Sequence, residues 1–442
     1  MKFREVLLVV VLILAGFVFF QFKTGHWKID GDWGWGDWDG GFGPFSREAA
    51  AEETRTIEAP LPLALEIENG RGWVEVRGAD QETIQLTFKK VAWRRTEEEA
   101  KDVVGRITYT MTTAADKLTL ATNRDEFPRK NFETAFILTV PRAMAVRVTN
   151  GYGTVRVDNV ADATVRNRHG EVYVSDVSGP CRLETSYEDV EVQRAGGECR
   201  IVNNHGDVRA MTVGGDLSIE TSYAGVRVEG AAGTADIRGP NVDVDVRRVA
   251  GAVTVDTTYE KVFLSDVGPA EVSARHSSVT AEDVRGDLTV RTSYEPIQAS
   301  RIQGNLLVTA ENSGVSGQEI RGGKIDVTTS YDRVSLSGFS AEVVVVNRNG
   351  GITLGPLDLK HGMDVRNEYG EIVLAWPDGE TARLEAQSKG GSVHWGLEEK
   401  PDVDQSNGTS LVKAFSANAG APLIFLSARY DDIRIEPVGR KF

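Results

Sequence analysis

The sequence predicts an all-β protein wound as a parallel β-helix, or β-solenoid, with about 18 residues per coil. Three observations carry that expectation. First, Cys181–Ala270 divides into five 18-residue units: CRLETSYEDVEVQRAGGE, CRIVNNHGDVRAMTVGGD, LSIETSYAGVRVEGAAGT, ADIRGPNVDVDVRRVAGA and VTVDTTYEKVFLSDVGPA. Aliphatic residues recur at unit positions 3, 10 and 12, Thr, Asn or Gly at 5, Tyr, His or Asn at 7, and Gly or Pro at 17. A fixed period of this kind marks a solenoid, in which each unit buries its apolar face only against its neighbours. Second, Leu217, Ile219, Thr221 and Tyr223 alternate as a strand requires, and three-residue steps to Val226 and Ala231 mark corners, with Gly225 and Gly233 suited to the turns. One unit is then one coil of two or three short strands. Third, opposite charges fall 18 residues apart, as in Glu220, Arg238 and Asp256, in Glu191 and Arg209, and in Arg227 and Asp245. Such cross-strand pairs help to specify register.

Parallel crossovers are overwhelmingly right-handed, which favours a right-handed helix. An 18-residue coil folded as three six-residue sides would also suit a left-handed one, but the spacing here (2, 2, 2, 3, 2, 3) is not a hexapeptide repeat. At about 4.8 Å per coil, about 14 coils make a rod of roughly 65 Å.

Taken in order, the chain opens with an address. Lys2 and Arg4 precede the apolar run Val6–Phe20, short of the ~20 residues of an ideal span, with no small-x-small cleavage site and no cysteine after it. Residues 1–22 are expected to be an uncleaved signal anchor, a single-pass transmembrane helix in the cytoplasmic membrane. Its N-terminus would lie inside and the bulk of the chain in the periplasm or otherwise outside; a cleaved signal peptide is the other reading. Residues 23–60 read as a Gly/Asp/Trp-rich juxtamembrane linker. Trp27, Trp33, Trp35 and Trp38 would sit at the membrane boundary, or form an aromatic contact surface.

Residues 61–144 read as a small α+β N-terminal cap. LEIENGRGWVEVRG (65–78) already resembles a repeat unit, and TIQLTFKKVAW (83–93) continues as a strand. TEEEAKDVVGRI (96–107) opens with a capping-box pattern and predicts a short helix. Strands are expected over 117–122 and 132–140. From residue 145 to 442 the units run on, loosening near Asn349, Tyr369 and Gly390. EEKPDVDQSNGTS (398–410) reads as a loop and IFLSARYDDIRIEP (424–437) as the closing unit.

A formal net charge of −15 argues against nucleic acid and against a basic lipid-binding face. The two cysteines are too few for a disulfide framework. Cys181 and Cys199, 18 apart in one inward column, would have Cα atoms about 4.8 Å apart, within disulfide range; a disulfide and a pair of free thiols are equally open. The most conspicuous column holds Tyr187, Tyr223, Tyr259, Tyr294 and Tyr331, alternating with His205, Asn241, His276 and Asn312. It is either a stripe that stacks on sugar rings or a packing ladder. The parity counted from Ile219 puts Tyr223 on the buried side and favours the ladder. His169, His205 and His276 lie two or more coils apart, too far to share a metal. Asp243 and Asp245 satisfy the spacing of a glycosidase acid pair, but Arg227 and Lys261 are their expected neighbours, so a solvated charge pair is the simpler account. No catalytic, cofactor-binding or metal-binding residue is expected.

LEIENGRGWVEVRGAD, EEEAKDVVGRI, FILTVPRAMAVRVTNGYGTVRV and the serial xGxVxV units together resemble the bacterial "putative adhesin" family of envelope proteins, a domain of unknown function. The resemblance covers Leu63 to the C-terminus. It implies an extracytoplasmic β-solenoid, often membrane-tethered, and carries no catalytic residues. The expectation is therefore an adhesin-like interaction or scaffold protein, not an enzyme, with an envelope protein or glycan as partner. A glycan-binding or polysaccharide-cleaving module and an envelope-stress sensor are the alternatives.

Overall fold

The computed structural model of the protein describes residues 47–438, apart from 115, 128–130, 407 and 416–419. The expected anchor (1–22) and the Trp-rich part of the linker lie outside the described residues.

The described chain is an all-β solenoid of about 13 turns with about 18 residues per turn and little helix. Each turn contributes two strands, one to each of two facing, mainly parallel sheets. In the turn that starts at Leu217, strand Leu217–Glu220 lies in one sheet and Ala224–Ala231 in the other. Leu217 sits in register between Cys199 and Ala235, and Val226 between Val208 and Val244. Leu217, Ile219, Val226, Val228 and Ala231 are all buried, so one continuous aliphatic seam runs between the sheets. Fully burying one such side chain stabilises by about 1.5–3 kcal/mol. Because every turn repeats the same columns, each turn covers the apolar edge of the one before it.

Two details of the expected unit change. The first corner is not at Gly225, which lies inside a strand, but at Tyr223, whose φ is 55°. The three-residue step from Val228 to Ala231 is not a corner either. It is a bulge column in the left-handed backbone region, occupied in successive turns by Arg194 (φ 55°), Thr212 (59°), Gly230 (90°) and Arg248 (54°). One left-handed residue inserted mid-strand restores the inward parity, so Val228 and Ala231 both reach the core. Ala270 pairs with Val253 and opens the next turn, which makes that repeat one residue shorter.

The second corner is made by glycines because successive backbones touch there. A Cβ on Gly233 would lie 2.3 Å from Asp216 Oδ1 and 2.7 Å from the Gly215 carbonyl carbon.

Both ends depart from chain order. At the N-terminal end the coil 64–79 is sandwiched between strands 117–141 on one side and 145–158 on the other. Residues 47–57, read as linker, form an antiparallel edge strand on Ile84–Arg94. That strand is almost wholly exposed, so no hydrophobic alternation marks it in the sequence. The helix Glu97–Arg106 forms as its sequence predicts. Thr96 Oγ1 accepts the Glu99 N–H at 3.2 Å, and Ala100 and Val104 are buried.

At the C-terminal end the expected closing unit is not outermost. Leu423–Ala428 and Ile433–Pro437 wedge between coil 363–376 and coil 383–395. The expected loop at 398–410 contains the strand Asp402–Ser406, which forms an antiparallel hairpin with Thr409–Ala414 and covers the end. This strand too is exposed along its whole length, and the sequence carries no period there.

Candidate functional site

The feature that survives as a candidate site is the corner between the two sheets. Its foundation is the Thr/Asn column at unit position 5. These side chains point inward and are almost fully buried, as in Asn167, Asn203, Thr221, Thr257 and Thr329. A buried polar group there should find partners; the Asn amides, Thr257 and Thr329 find carbonyls at the corners, whereas the Thr185 and Thr221 hydroxyls are buried without a hydrogen-bond partner. Asn203 Nδ2 donates to Glu188 O (3.1 Å) and Gly206 O (2.9 Å), and Asn167 Nδ2 donates to Gly153 O (2.9 Å) and Gly170 O (2.8 Å). Thr257 Oγ1 donates to Val242 O at 3.0 Å and Thr329 Oγ1 to Ser313 O at 2.7 Å. These four side chains clamp their corners from below.

Two residues further on stands the ring. In Asn-x-(Tyr/His)-Gly corners the left-handed conformation falls on glycine, with φ of 109° at Gly153, 136° at Gly170 and 113° at Gly206. In four of the five Thr-Ser/Thr-Tyr corners it falls on the tyrosine itself, with φ of 55° at Tyr223, 68° at Tyr259, 68° at Tyr294 and 69° at Tyr331, while Tyr187 in the fifth lies outside the left-handed region. For an L-residue with a bulky side chain that backbone costs about 1–2 kcal/mol.

This reversal corrects the sequence reading. Thr221 takes the last inward place, and the left-handed step turns the next ring outward. Tyr223, Tyr259, Tyr294 and Tyr331 are therefore exposed, at 65, 64, 58 and 62%, and Tyr187 is exposed at 54% without that step. Counting parity from Ile219 cannot cross a corner.

The rings form a ladder on the outside of the rod. Tyr152 stacks on His169 (centroids 4.5 Å), His169 on Tyr187 (4.7 Å), Tyr187 on His205 (5.6 Å) and His205 on Tyr223 (5.7 Å), all within 10° of parallel. After Asn241 the stack resumes as Tyr259, His276 and Tyr294, at 5.0 Å for each step. After Asn312 comes Tyr331, and near the C-terminal end Tyr369 stacks on Tyr430 at 4.9 Å. Tyr152, Tyr369 and Tyr430 extend the stripe beyond the predicted column. The first two were findable from their Asn-Gly-Tyr-Gly and Asn-Glu-Tyr-Gly corners; Tyr430 joins only through the wedged C-terminal unit.

The stripe's border is acidic. Asp189 Oδ1 accepts the Asp207 N–H at 2.8 Å and Asp207 Oδ1 the Gly225 N–H at 2.9 Å. Glu260, Glu295 and Asp332 directly follow a stripe tyrosine. On the sheet faces the expected charge partners are in register: Glu191 beside Arg209, Arg227 beside Asp245, and Arg238 between Glu220 and Asp256. The ion pairs nevertheless form elsewhere. Arg247 grips Asp245 at 2.7 and 3.1 Å, Arg238 reaches Asp236 at 2.8 Å, and Arg227 lies 4.0 Å from Glu229. Residues two apart on one strand share a face, and at these three positions the guanidinium arm reaches its own strand; elsewhere the pair does cross coils, as at Arg166 and Glu184 (3.0 Å). At the bulge column Arg194 grips Asp176 with two 2.6 Å hydrogen bonds, which hold the Asp176 carboxyl below the usual carboxylate range.

Cys181 and Cys199 are in-register neighbours, both buried and both free thiols. A hydrogen bond with Cys181, reinforced by burial, pushes the Cys199 thiol well above its usual range.

Among known proteins, no family model matches this chain and no curated protein matches it. Among solved structures, a protein from Clostridium sporogenes described as a "putative cell adhesion protein" aligns over 88% of this chain and 100% of its own, at 9% identity and a TM-score of 0.18. A likeness that slight supports no inference about this chain.

Proposed function

We propose that the protein is a membrane-anchored, extracytoplasmic scaffold of adhesin type in the bacterial envelope, which works by contact and without catalysis. The observation that carries this reading is a row of tyrosines more than half exposed and, at Tyr223, Tyr259, Tyr294 and Tyr331, held in left-handed backbone. A residue type chosen for stability at such a corner would be Gly or Asn. Strained, exposed aromatic residues repeated along a rigid rod are instead what a binding surface needs: large contact area fixed in place before the partner arrives. The apolar run Val6–Phe20 behind Lys2 and Arg4 supports the anchor, and the adhesin-like motifs from Leu63 onward support the envelope setting.

The test is cross-linking in intact cells with the full chain and with a variant in which Tyr223, Tyr259, Tyr294 and Tyr331 are all Asn. Asn already occupies this column at 241 and 312 in the same backbone conformation. The variant is expected to fold and to lose its cross-linked partners; a folded variant that keeps all of them overturns the reading. Release of the wild-type chain from membranes by alkaline wash would overturn the anchored part.

A further inference from the structure

We propose that the two interruptions of the stripe, at Asn241 and Asn312, are slots that receive arginine side chains from an extended basic segment of a partner polypeptide. This rests on the reading of the stripe as an interaction surface and names the chemistry it recognises.

Along most of the ladder each ring face is covered by the next ring, which leaves only edges and hydroxyls to a partner. Faces open where a small residue replaces a ring. Asn241 holds the place between Tyr223 and Tyr259: its N–H donates to Thr258 O (3.1 Å), and its carbonyl accepts from Ala224 N (3.3 Å). Asn312 stands likewise between Tyr294, whose N–H bonds Glu311 O, and Tyr331, its own N–H bonding Ser330 Oγ. Two rings separated by two coils are about 9.6 Å apart at about 4.8 Å per coil. A guanidinium seated midway would be about 4.8 Å from each centroid, inside the ~6 Å reach of a cation–π contact on both sides.

The chain already places guanidinium groups over single ring faces. Arg247 lies 4.8 Å over the Phe263 ring and Arg156 lies 5.1 Å over Tyr173, each from a neighbouring coil. At the far end of the stripe Arg429 lies 5.3 Å over Tyr430.

Charge selects the occupant. Asp243 and Glu260 border the first slot and Glu295, Glu311 and Asp332 the second, all exposed, with Lys261 and Arg333 one residue further out. On a chain of net charge −15 this favours a basic segment over a neutral or acidic one. The spacing selects its form. The slots are four coils, about 19 Å, apart, and an extended chain rising about 3.3 Å per residue covers that distance in six residues. Positions i and i+6 of an extended strand point to the same side, so both arginines enter together.

The test uses the full chain in detergent and fluorescent peptides of Ser/Thr background carrying two arginines at i and i+6, or at i and i+5. The i,i+6 peptide is expected to bind at least tenfold more tightly. The double variant Asn241→Tyr/Asn312→Tyr fills both slots with a residue this backbone already accommodates at 223 and 259. It should keep the wild-type melting curve and lose at least tenfold in peptide affinity. Equal binding of the two peptides, or full binding by the slot-filled variant, overturns the proposal, as does a neutral oligosaccharide that binds wild type in place of either peptide and fails on the slot-filled variant. If the four-tyrosine variant loses its envelope cross-links while neither peptide binds, the surface stands and the arginine slots fall. If its cross-links persist, the surface itself falls.

Discussion

Tyr259 and His276 stack at 5.0 Å with their planes 17° apart, and both residues are in left-handed backbone, at φ 68° and 58°. The contact therefore joins two residues that each strain the chain to be there. A stacked pair returns about 0.5–1.5 kcal/mol, which is comparable to the strain it offsets. The ladder is close to neutral for folding, and its value lies on the outside.

Replacing Tyr294 by Asn should accordingly change stability by less than about 1 kcal/mol, because Asn tolerates the left-handed conformation and the lost stacking is modest. Thermal and denaturant melting check this; a loss of 3 kcal/mol or more would make the ring a structural element.

The interior should behave oppositely. Val226 is 2% exposed in the seam between the sheets, and Val226→Asp buries a charge with nothing to neutralise it, at a cost of several kcal/mol. In a chain whose turns are stabilised mainly by their neighbours, denaturant unfolding should become broader as well as earlier. An unaltered curve would show that the register is wrong.

Two glycines should respond with opposite signs. A Cβ on Gly239 would lie 1.5 Å from the Thr221 carbonyl oxygen, at φ 146°, so Gly239→Ala should cost about 3 kcal/mol or more. Gly105, in the exposed helix, has nothing within 4 Å of its Cβ position, and Gly105→Ala should stabilise by about 0.5–1 kcal/mol. Paired urea melts of the two variants decide it.

The Asp176–Arg194 grip predicts a weak acid dependence. The Asp176 carboxyl is held below its ordinary value, so its contribution to stability is complete above the unfolded value near 3.9. It is lost as pH falls below that, through the folded value. Both side chains are about half exposed, so the effect is small. Carboxyl chemical shifts should show Asp176 titrating below a solvent-exposed Asp, and Arg194→Gln should return it to the ordinary range.

The core columns were legible because burial writes itself into sequence as period. Ile219, Val226 and Val228 repeat every 18 residues since each must cover the same position on the previous turn. The capped helix at 97–106 was legible for a local reason, its Thr-x-x-Glu start. The exposed strands at 47–57 and 402–406 were not, because an edge strand satisfies its backbone by pairing and needs no apolar alternation. The tyrosine column was visible in the sequence but its side was not.

By itself, then, the sequence determined the turn length, the register and the residues of the seam, because these depend on which side chains avoid water. Only the tertiary structure decided which way Tyr223 points, since one left-handed residue reverses the parity that periodicity relies on. It also decided that residues 423–437 lie inside the stack and not at its end. Strand pairing is set by edges meeting in space, and the order of the chain does not record which edge is free.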